Sequence, residues 1–161
     1  MIRRWSVGVV MAGLVACAPT HQLTDTASDV YNLASANPRL ATFITLIEAS
    51  GLDAKMRASD PVTVLAPNND ALNTLGPDRV RYLLSEAGAT ELSELMSAHV
   101  FPGAYSGEDI ARGKLPKSLA GTRVTGTKAS DGLPRLEGTG NILESMKGSN
   151  GFVHVIDLVL R

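Results

Sequence analysis

The chain contains few cysteine, histidine and aromatic residues. Its 161 residues include one cysteine and three histidines, and aromatic side chains make up 4%. One cysteine excludes an internal disulfide and leaves no cluster of thiolates for a structural zinc ion. A hydrophobic core must therefore stabilise the folded part, and the apolar fraction of 44% is enough for one ordinary domain.

The chain also lacks an excess of positive charge. Its formal net charge is −1, and no tract of lysine and arginine occurs in it. Binding of nucleic acid depends on a basic face that neutralises phosphates. The composition therefore predicts no nucleic-acid partner.

The hydrophobic run at the N-terminus is short. Residues 5–16 carry no charge, but as a helix they would span about 18 Å, whereas the hydrocarbon core of a bilayer is about 30 Å thick. Because Arg3 and Arg4 precede this run, it predicts a secretory signal peptide over residues 1–16. A permanent transmembrane helix and a twin-arginine signal are the weaker alternatives.

The signal ends at the lone cysteine. Leu14-Val15-Ala16-Cys17 resembles the lipobox of bacterial lipoproteins, which implies cleavage before Cys17 and acylation of its sulfur and new amine. Residues 17–22 would then form a lipidated tether, and loss of residues 1–16 changes the formal net charge to −3. The residue after the cysteine is Ala18 and not aspartate, which resembles the pattern of lipoproteins that Gram-negative bacteria send to the outer membrane. The alternative is an ordinary signal cut nearby that leaves Cys17 as a free thiol.

The N-terminal half of the remaining chain predicts helices. Apolar residues recur at helical spacing over residues 23–36 and 40–52, and Asn37-Pro38 separates the two segments. A short helical piece ends near Ser59. Further helices are predicted after Asn68 or Asn69 and over residues 77–84 and 90–98.

Strand patterns lie between these helices and in the C-terminal half. The β-branched segment 62–66 predicts a buried strand that stops at Pro67. Glycine-punctuated segments then predict strands over 122–125, 133–136, 141–146 and 152–160, with one or two helical turns over 107–113. We therefore predict an α+β fold, in which a helical N-terminal half packs on a mixed sheet from the C-terminal half.

No residue pattern selects a catalytic, metal or cofactor site. His21 lies in the tether, and neither His99 nor His154 has a second metal ligand at helical spacing, so both are predicted to be buried and hydrogen-bonded. Asp70 and Asp157 each follow a strand-like run of apolar residues and could lie at a pocket mouth. The structural alternative has Asp70 accepting backbone N–H groups at the turn and Asp157 pairing with Arg161 or another cation.

Four separated stretches resemble the fasciclin domain family. Residues 62–72 resemble its first signature, Phe-Thr-Val-Phe-Ala-Pro-Thr-Asn-Asp-Ala-Phe, and residues 150–160 resemble its second, Asn-Gly-Val-Val-His-Val-Ile-Asp-x-Val-Leu. Residues 99–103 resemble the family's His-Val-Val-Pro-Gly segment, and Asn37-Pro38-x-Leu40 resembles its opening. Order and spacing agree over residues 23–161, which we predict to be one fasciclin domain.

The resemblance implies a non-enzymatic domain of a family that commonly mediates adhesion. Some animal members bind integrin through a Tyr-His segment and an Asp-Ile pair, but here Ala98 and Ser145-Met146 occupy those positions and only His99 is kept. The motif residues are structural candidates and a possible partner surface. They are Thr63, Ala66, Pro67, Asn69, Asp70, His99, Pro102, Gly103, Asn150, Gly151, His154 and Asp157.

Three functional hypotheses follow from the sequence. The first is a lipid-anchored fasciclin domain at the cell envelope that binds a protein or surface polymer without catalysis. The second is a periplasmic binder of a small apolar or glycan ligand. The third is an esterase-like hydrolase, which would need a serine, His99 or His154, and a carboxylate within hydrogen-bonding distance.

Overall fold

The computed structural model describes residues 28–128, 134–136 and 140–161. Cys17, the tether, the start of the segment predicted helical from Leu23, and Leu133 lie outside the described residues. In the described part, no helix is both long enough and apolar enough to cross a membrane.

The helices lie mostly before residue 100, as predicted. Short 3-10 turns at Pro38–Leu40 and Glu86–Gly88 precede two of them. The α-helices are α1 Val30–Ala36, α2 Ala41–Ala49, α3 Asp53–Arg57, α4 Asn69–Asn73, α5 Pro77–Leu83, α6 Ala89–Ser97 and α7 Gly107–Ala111.

Six strands of the described chain form one mixed sheet. They are β1 Val62–Pro67, β2 Val100–Pro102, β3 Gly126–Lys128, β4 Pro134–Leu136, β5 Gly140–Gly148 and β6 Gly151–Ile156. Their order is β2-β1-β6-β5-β4-β3, and only the β1–β6 pair is parallel. The α+β class is confirmed, although β1, from the helical half, is an inner strand of the sheet.

Two further strand predictions need correction. Residues 122–125 are not a strand: Arg123 makes one isolated bridge with Lys117, and β3 begins at Gly126. The strand predicted over 152–160 ends at Ile156, after which residues 157–161 leave the sheet. The alternating side chains of both segments are typical of strands, but among the described residues neither backbone has a continuous neighbouring strand to pair with.

The central strands β1 and β6 are covered on both faces, which explains their nearly continuous apolar sequence. One face packs against α1 to α6 through residues that include Val64 and Val155. On the other face, Leu65 and Ile156 lie in a second cluster with side chains of α7, the loops and the strands β2, β4 and β5. Two hydrophobic clusters therefore meet across the same pair of strands.

Gly151 opens β6 at a point where no side chain fits. A Cβ atom at this position would lie 1.6 Å from the carbonyl oxygen of Val62. Such a distance is far below van der Waals contact, so only glycine allows β1 and β6 to approach at the start of their pairing.

Candidate functional site

The two signature segments lie side by side as the parallel strands β1 and β6. Their register runs from Val62 opposite Gly151 to Pro67 opposite Ile156. Ala66 and Pro67 are buried at the end of β1, while Pro102 is exposed at the end of β2, where it pairs with Val62. Within these strands, the polar side chains of Thr63 and His154 bond to the loop that follows β2.

Thr63 holds the loop that follows β2. Its hydroxyl donates to the Gly103 carbonyl at 2.7 Å and accepts from the Tyr105 N–H at 2.8 Å. Gly103 turns the chain here with φ 98°, a conformation that favours glycine. Since Thr63 is completely buried, this bonding satisfies a hydroxyl that would otherwise be costly to bury.

His154 holds the other side of the same loop. Its Nε2 lies 2.9 Å from the Tyr105 carbonyl and its Nδ1 lies 2.8 Å from the Ser145 Oγ. Because the carbonyl can only accept, Nε2 carries the proton and Nδ1 accepts from Ser145. Burial lowers the pKa of His154, so its ring is neutral at pH 7.

His99 joins α6 to the C-terminal segment. Its Nδ1 donates to the Leu95 carbonyl at 2.7 Å, and its Nε2 accepts from the Leu160 N–H at 3.0 Å. The side chain is fully buried, and burial lowers the pKa to about 4. Both histidines thus have the buried, hydrogen-bonded environment expected of structural residues.

Two signature asparagines, Asn69 at the start of α4 and Asn150 in the turn between β5 and β6, bond to other elements. Asn69 accepts from the Thr42 N–H at 3.1 Å and donates to the Pro38 carbonyl at 2.9 Å. Asn150 accepts from the Val30 N–H at 2.8 Å and donates to the carbonyls of Met56 and Ala58 at 2.8 and 2.6 Å. Each amide therefore bridges segments far apart in sequence.

The two aspartates have roles other than those expected. Asn68, and not Asp70, caps α4 by accepting from the Ala71 N–H at 2.7 Å, while Asp70 is exposed in the first turn. Asp157 accepts from the backbone N–H and the side-chain amide of Asn141, both at 2.7 Å. It therefore fixes the start of β5 instead of pairing with Arg161.

Two adjoining clefts open on the surface beside the C-terminal segment. One has a volume of about 490 Å³ and is lined by residues 122–125 and 158–161 together with Thr74. The other has a volume of about 820 Å³, lies against α5 and α6, and shares Thr74, Thr122 and Arg161 with the first. Both volumes are in the range of ligand pockets.

Comparison with known proteins identifies the family. The family model of the fasciclin domain matches residues 38–161. The chain belongs to the fasciclin domain family.

The relatives of this fasciclin protein include both short and long proteins. Protein sll1483 of Synechocystis is 32% identical over 137 residues, which cover 85% of this chain and 75% of that protein. Human stabilin-1 is 27% identical over 94% of this chain but only 6% of its own length, and human periostin is 26% identical over 76% of this chain and 14% of its own. The match to those two proteins is therefore a match to a small part of each.

The fold of this fasciclin domain resembles a solved structure of a FAS1 domain pair from the insect cell adhesion molecule fasciclin I. The TM-score is 0.72 at 14% identity, over 83% of this chain and 51% of that chain. The likeness confirms the fold.

The described residues of this fasciclin domain do not form a serine hydrolase triad. Ser145 is hydrogen-bonded to His154, but the other ring nitrogen of His154 meets a backbone carbonyl, and both nitrogens of His99 meet backbone groups. Within residues 28–128, 134–136 and 140–161, neither ring is oriented by a carboxylate, which the esterase hypothesis requires. The same residues contain no group of three or more His, Cys, Asp and Glu that could hold a metal ion.

Residues of the two clefts were missed by sequence reasoning. No motif with a chemical role includes Thr122, Arg123 or Arg161. Only the fold places these three residues in the lining of one cleft. Ser145 departs from the family pattern, and its bond to His154 depends on the antiparallel register that places the two residues opposite each other. No local spacing could have indicated either arrangement.

Proposed function

We propose that this fasciclin protein is exported, lipid-anchored through Cys17 at the cell envelope, and binds a protein or surface polymer without catalysis. Membership of a family that includes an insect cell adhesion molecule carries the binding part of the proposal. The signal over residues 1–16 and the lipobox at Leu14-Val15-Ala16-Cys17 support the anchor. In a Gram-negative host, Ala18 favours the outer membrane.

The anchor contributes to function by placing the domain at a surface. Each buried methylene of an acyl chain adds about 0.8 kcal/mol to membrane affinity, so two or three chains hold a protein firmly without a spanning helix. The tether of residues 17–22 then separates the domain from the membrane.

Metabolic labelling with an alkyne analogue of palmitate tests the anchor. We expect wild type to be labelled and to sediment with membranes, and Cys17→Ser to lose the label and appear in the soluble fraction. Ala18→Asp is the matched control, because it should keep the label but change the membrane in which the protein is found. Labelling of the Cys17→Ser variant equal to wild type would refute the anchor.

The binding part has a separate test. Cells lacking the protein should adhere to a surface or to one another less than the parent, and the purified chain should sediment with isolated envelopes or matrix polymer. If adhesion is unchanged and the chain binds neither material, the binding proposal is wrong even where the anchor is confirmed.

The second candidate, a periplasmic binder of a small apolar or glycan ligand, is supported by the two clefts beside the C-terminal segment. Their volumes suit a small ligand, and their walls combine apolar side chains with hydroxyl and charged groups. Isothermal titration with a panel of lipids and oligosaccharides distinguishes this candidate, because it requires saturable binding of a small molecule in the absence of any surface.

A further inference from the structure

The turn between β5 and β6 contains the one asparagine–glycine pair of the sequence, Asn150-Gly151. Asparagine is a thermolabile residue, because the backbone nitrogen of the next residue can attack its side-chain amide and close a five-membered ring. An attack within one chain has a high effective concentration. Glycine has no Cβ atom to obstruct the approach, so this pair is the most reactive kind in a mobile peptide.

The reaction is a loss of ammonia followed by hydrolysis. The Gly151 nitrogen gives its proton to solvent base and forms a bond to the Cγ atom of Asn150, while the Cγ–Nδ2 bond breaks and Nδ2 takes a proton and leaves as ammonia. Water then opens the resulting succinimide at one of its two carbonyl carbons. One opening gives aspartate at position 150, and the other gives isoaspartate, in which the main chain runs through Cγ.

In the folded chain, four hydrogen bonds hold Asn150. Its Oδ1 accepts from the Val30 N–H at 2.8 Å, and its Nδ2 donates to the carbonyls of Met56 and Ala58 at 2.8 and 2.6 Å. Its own main-chain carbonyl accepts from the Val62 N–H at 2.9 Å. Departure of Nδ2 breaks two of these bonds, and movement of Cγ towards the main chain disturbs the third, so the native contacts oppose the reaction.

The attacking nitrogen is also fixed by the fold. Gly151 begins β6, where it pairs with Val62 of β1 and with Gly148 of β5. The carbonyl oxygen of Val62 occupies the place that a Cβ atom on Gly151 would take. A ring closed on this nitrogen would disturb both pairings, so the turn has to open before the ring can form.

The products cannot reproduce the contacts of the asparagine. A carboxylate only accepts hydrogen bonds, so the carbonyls of Met56 and Ala58 would face a negative charge instead of two N–H donors. Isoaspartate adds one atom to the main chain directly before Gly151, where the close approach to Val62 leaves no room for a displaced backbone. A chain that has reacted therefore cannot return to the native structure of this turn.

We propose that Asn150 is a deamidation site which the native fold protects, and that its conversion prevents the turn from again attaching α1 and α3 to the sheet. Each opening of the turn then exposes a fraction of the molecules to an irreversible step. The stability of the domain thereby sets its chemical lifetime. This inference does not depend on the proposed function.

Incubation of the purified chain in buffer and in guanidinium chloride, at the same mildly alkaline pH, tests the site. Trypsin then releases residues 148–161, in which Asn150 is the only side-chain amide, so a gain in mass from amide to acid identifies this residue. We expect conversion to be about tenfold or more faster in the unfolded chain, because the rate follows the population of the open form.

The role of the glycine is tested in the unfolded chain alone. Gly151→Ala cannot keep the native approach to Val62, but in guanidinium chloride its folding does not matter. We expect its Asn150 to react several-fold more slowly than that of wild type, because the added Cβ atom obstructs the attacking nitrogen.

The consequence of the reaction is tested with Asn150→Asp, which supplies one product directly. We expect it to melt at least about 5 °C below wild type, since two donors to backbone carbonyls are lost. Asn73→Asp is the matched control, because it makes the same change at an exposed residue of α4. Its melting temperature should stay within about 2 °C of wild type.

Four results would overturn the inference. The site is wrong if Asn150 is not converted in the unfolded wild type, or if Gly151→Ala reacts as fast as wild type there. Protection by the fold is wrong if the folded and unfolded chains react at equal rates. The structural consequence is wrong if Asn150→Asp and Asn73→Asp melt at the same temperature.

Discussion

Single residues of the signatures act through buried hydrogen bonds. Thr63 and His154 hold the Tyr105 backbone from two sides, and His99 holds Leu160. In the part of the chain that the structure describes, no buried side-chain nitrogen or oxygen lacks a partner. A polar group in a core is tolerated only under this condition, which explains why these residue types occur within otherwise apolar strands.

The buried neutral state of His99 predicts a dependence of stability on pH. The unfolded chain protonates this histidine below its ordinary pKa of 6.5, whereas burial lowers the folded pKa to about 4. Between these values the unfolded state binds more protons, so the free energy of unfolding falls as pH is lowered from 6.5 towards 4. The stabilisation is complete above pH 6.5, and the loss from this residue is on the order of 3 kcal/mol.

Urea denaturation at several pH values between 7.5 and 4.5 measures this effect. We expect His99→Gln to be less stable than wild type at pH 7.5 by about 1–3 kcal/mol, because Leu160 and Leu95 lose their buried partner. The slope of its stability against pH should be smaller than that of wild type. His154→Gln is the comparison for the second histidine, and an unchanged slope in His99→Gln would contradict the prediction.

At the scale of elements, short helices depend on their attachment to the sheet. Isolated helices of seven or five residues, such as α1 and α3, have too few internal hydrogen bonds to be stable alone. Asn150, in the turn between β5 and β6, bonds to the first residue of α1 and to the end of α3. A turn of the sheet therefore determines where two helices begin and end.

Substitution of Asn150 by alanine tests this attachment. We expect Asn150→Ala to lower the free energy of unfolding by about 2–4 kcal/mol, since three hydrogen bonds are lost and buried backbone groups are left unsatisfied. Amide exchange of Val30 should accelerate more than that of residues in β1. Ser149→Ala, at the exposed neighbouring position, is the control and should change stability by less than about 0.5 kcal/mol.

The helices and inner strands were predictable because their patterns are local. The period of apolar residues in α2 and the β-branched run in β1 each depend on which side chains are buried within one element. The strand prediction for residues 122–125 was wrong because Val124 is buried by packing in the second cluster and not by pairing in a strand. An alternating pattern of apolar side chains indicates which side chains are buried, but a side chain can be buried in a loop as well as in a strand.

At the scale of the whole molecule, two hydrophobic clusters share β1 and β6. Leu46 belongs to the cluster on the helical side and Ile156 to the cluster on the other side, and both are fully buried. Because the same two strands support both clusters, damage to either one should weaken the sheet on which the other rests. We therefore expect the described part to unfold as one cooperative unit.

Large-to-small substitutions on the two faces test this cooperativity. Leu46→Ala and Ile156→Ala should each lower the free energy of unfolding by about 2–5 kcal/mol and keep one calorimetric transition. Leu143→Ala, at a side chain that is 47% exposed, is the control and should have an effect below about 0.5 kcal/mol. Two separate transitions in either core variant would show that the clusters unfold independently.

The sequence by itself determined the family, the α+β class, and the prediction of a signal and lipidated cysteine, since each depends on residues close together in the chain. Only the tertiary structure decided the partner of Asp157, the tautomers of the two histidines and the cleft beside the C-terminal segment. These depend on strand register and on where the chain leaves the sheet after Ile156. Such contacts join segments tens of residues apart, and no local pattern encodes their geometry.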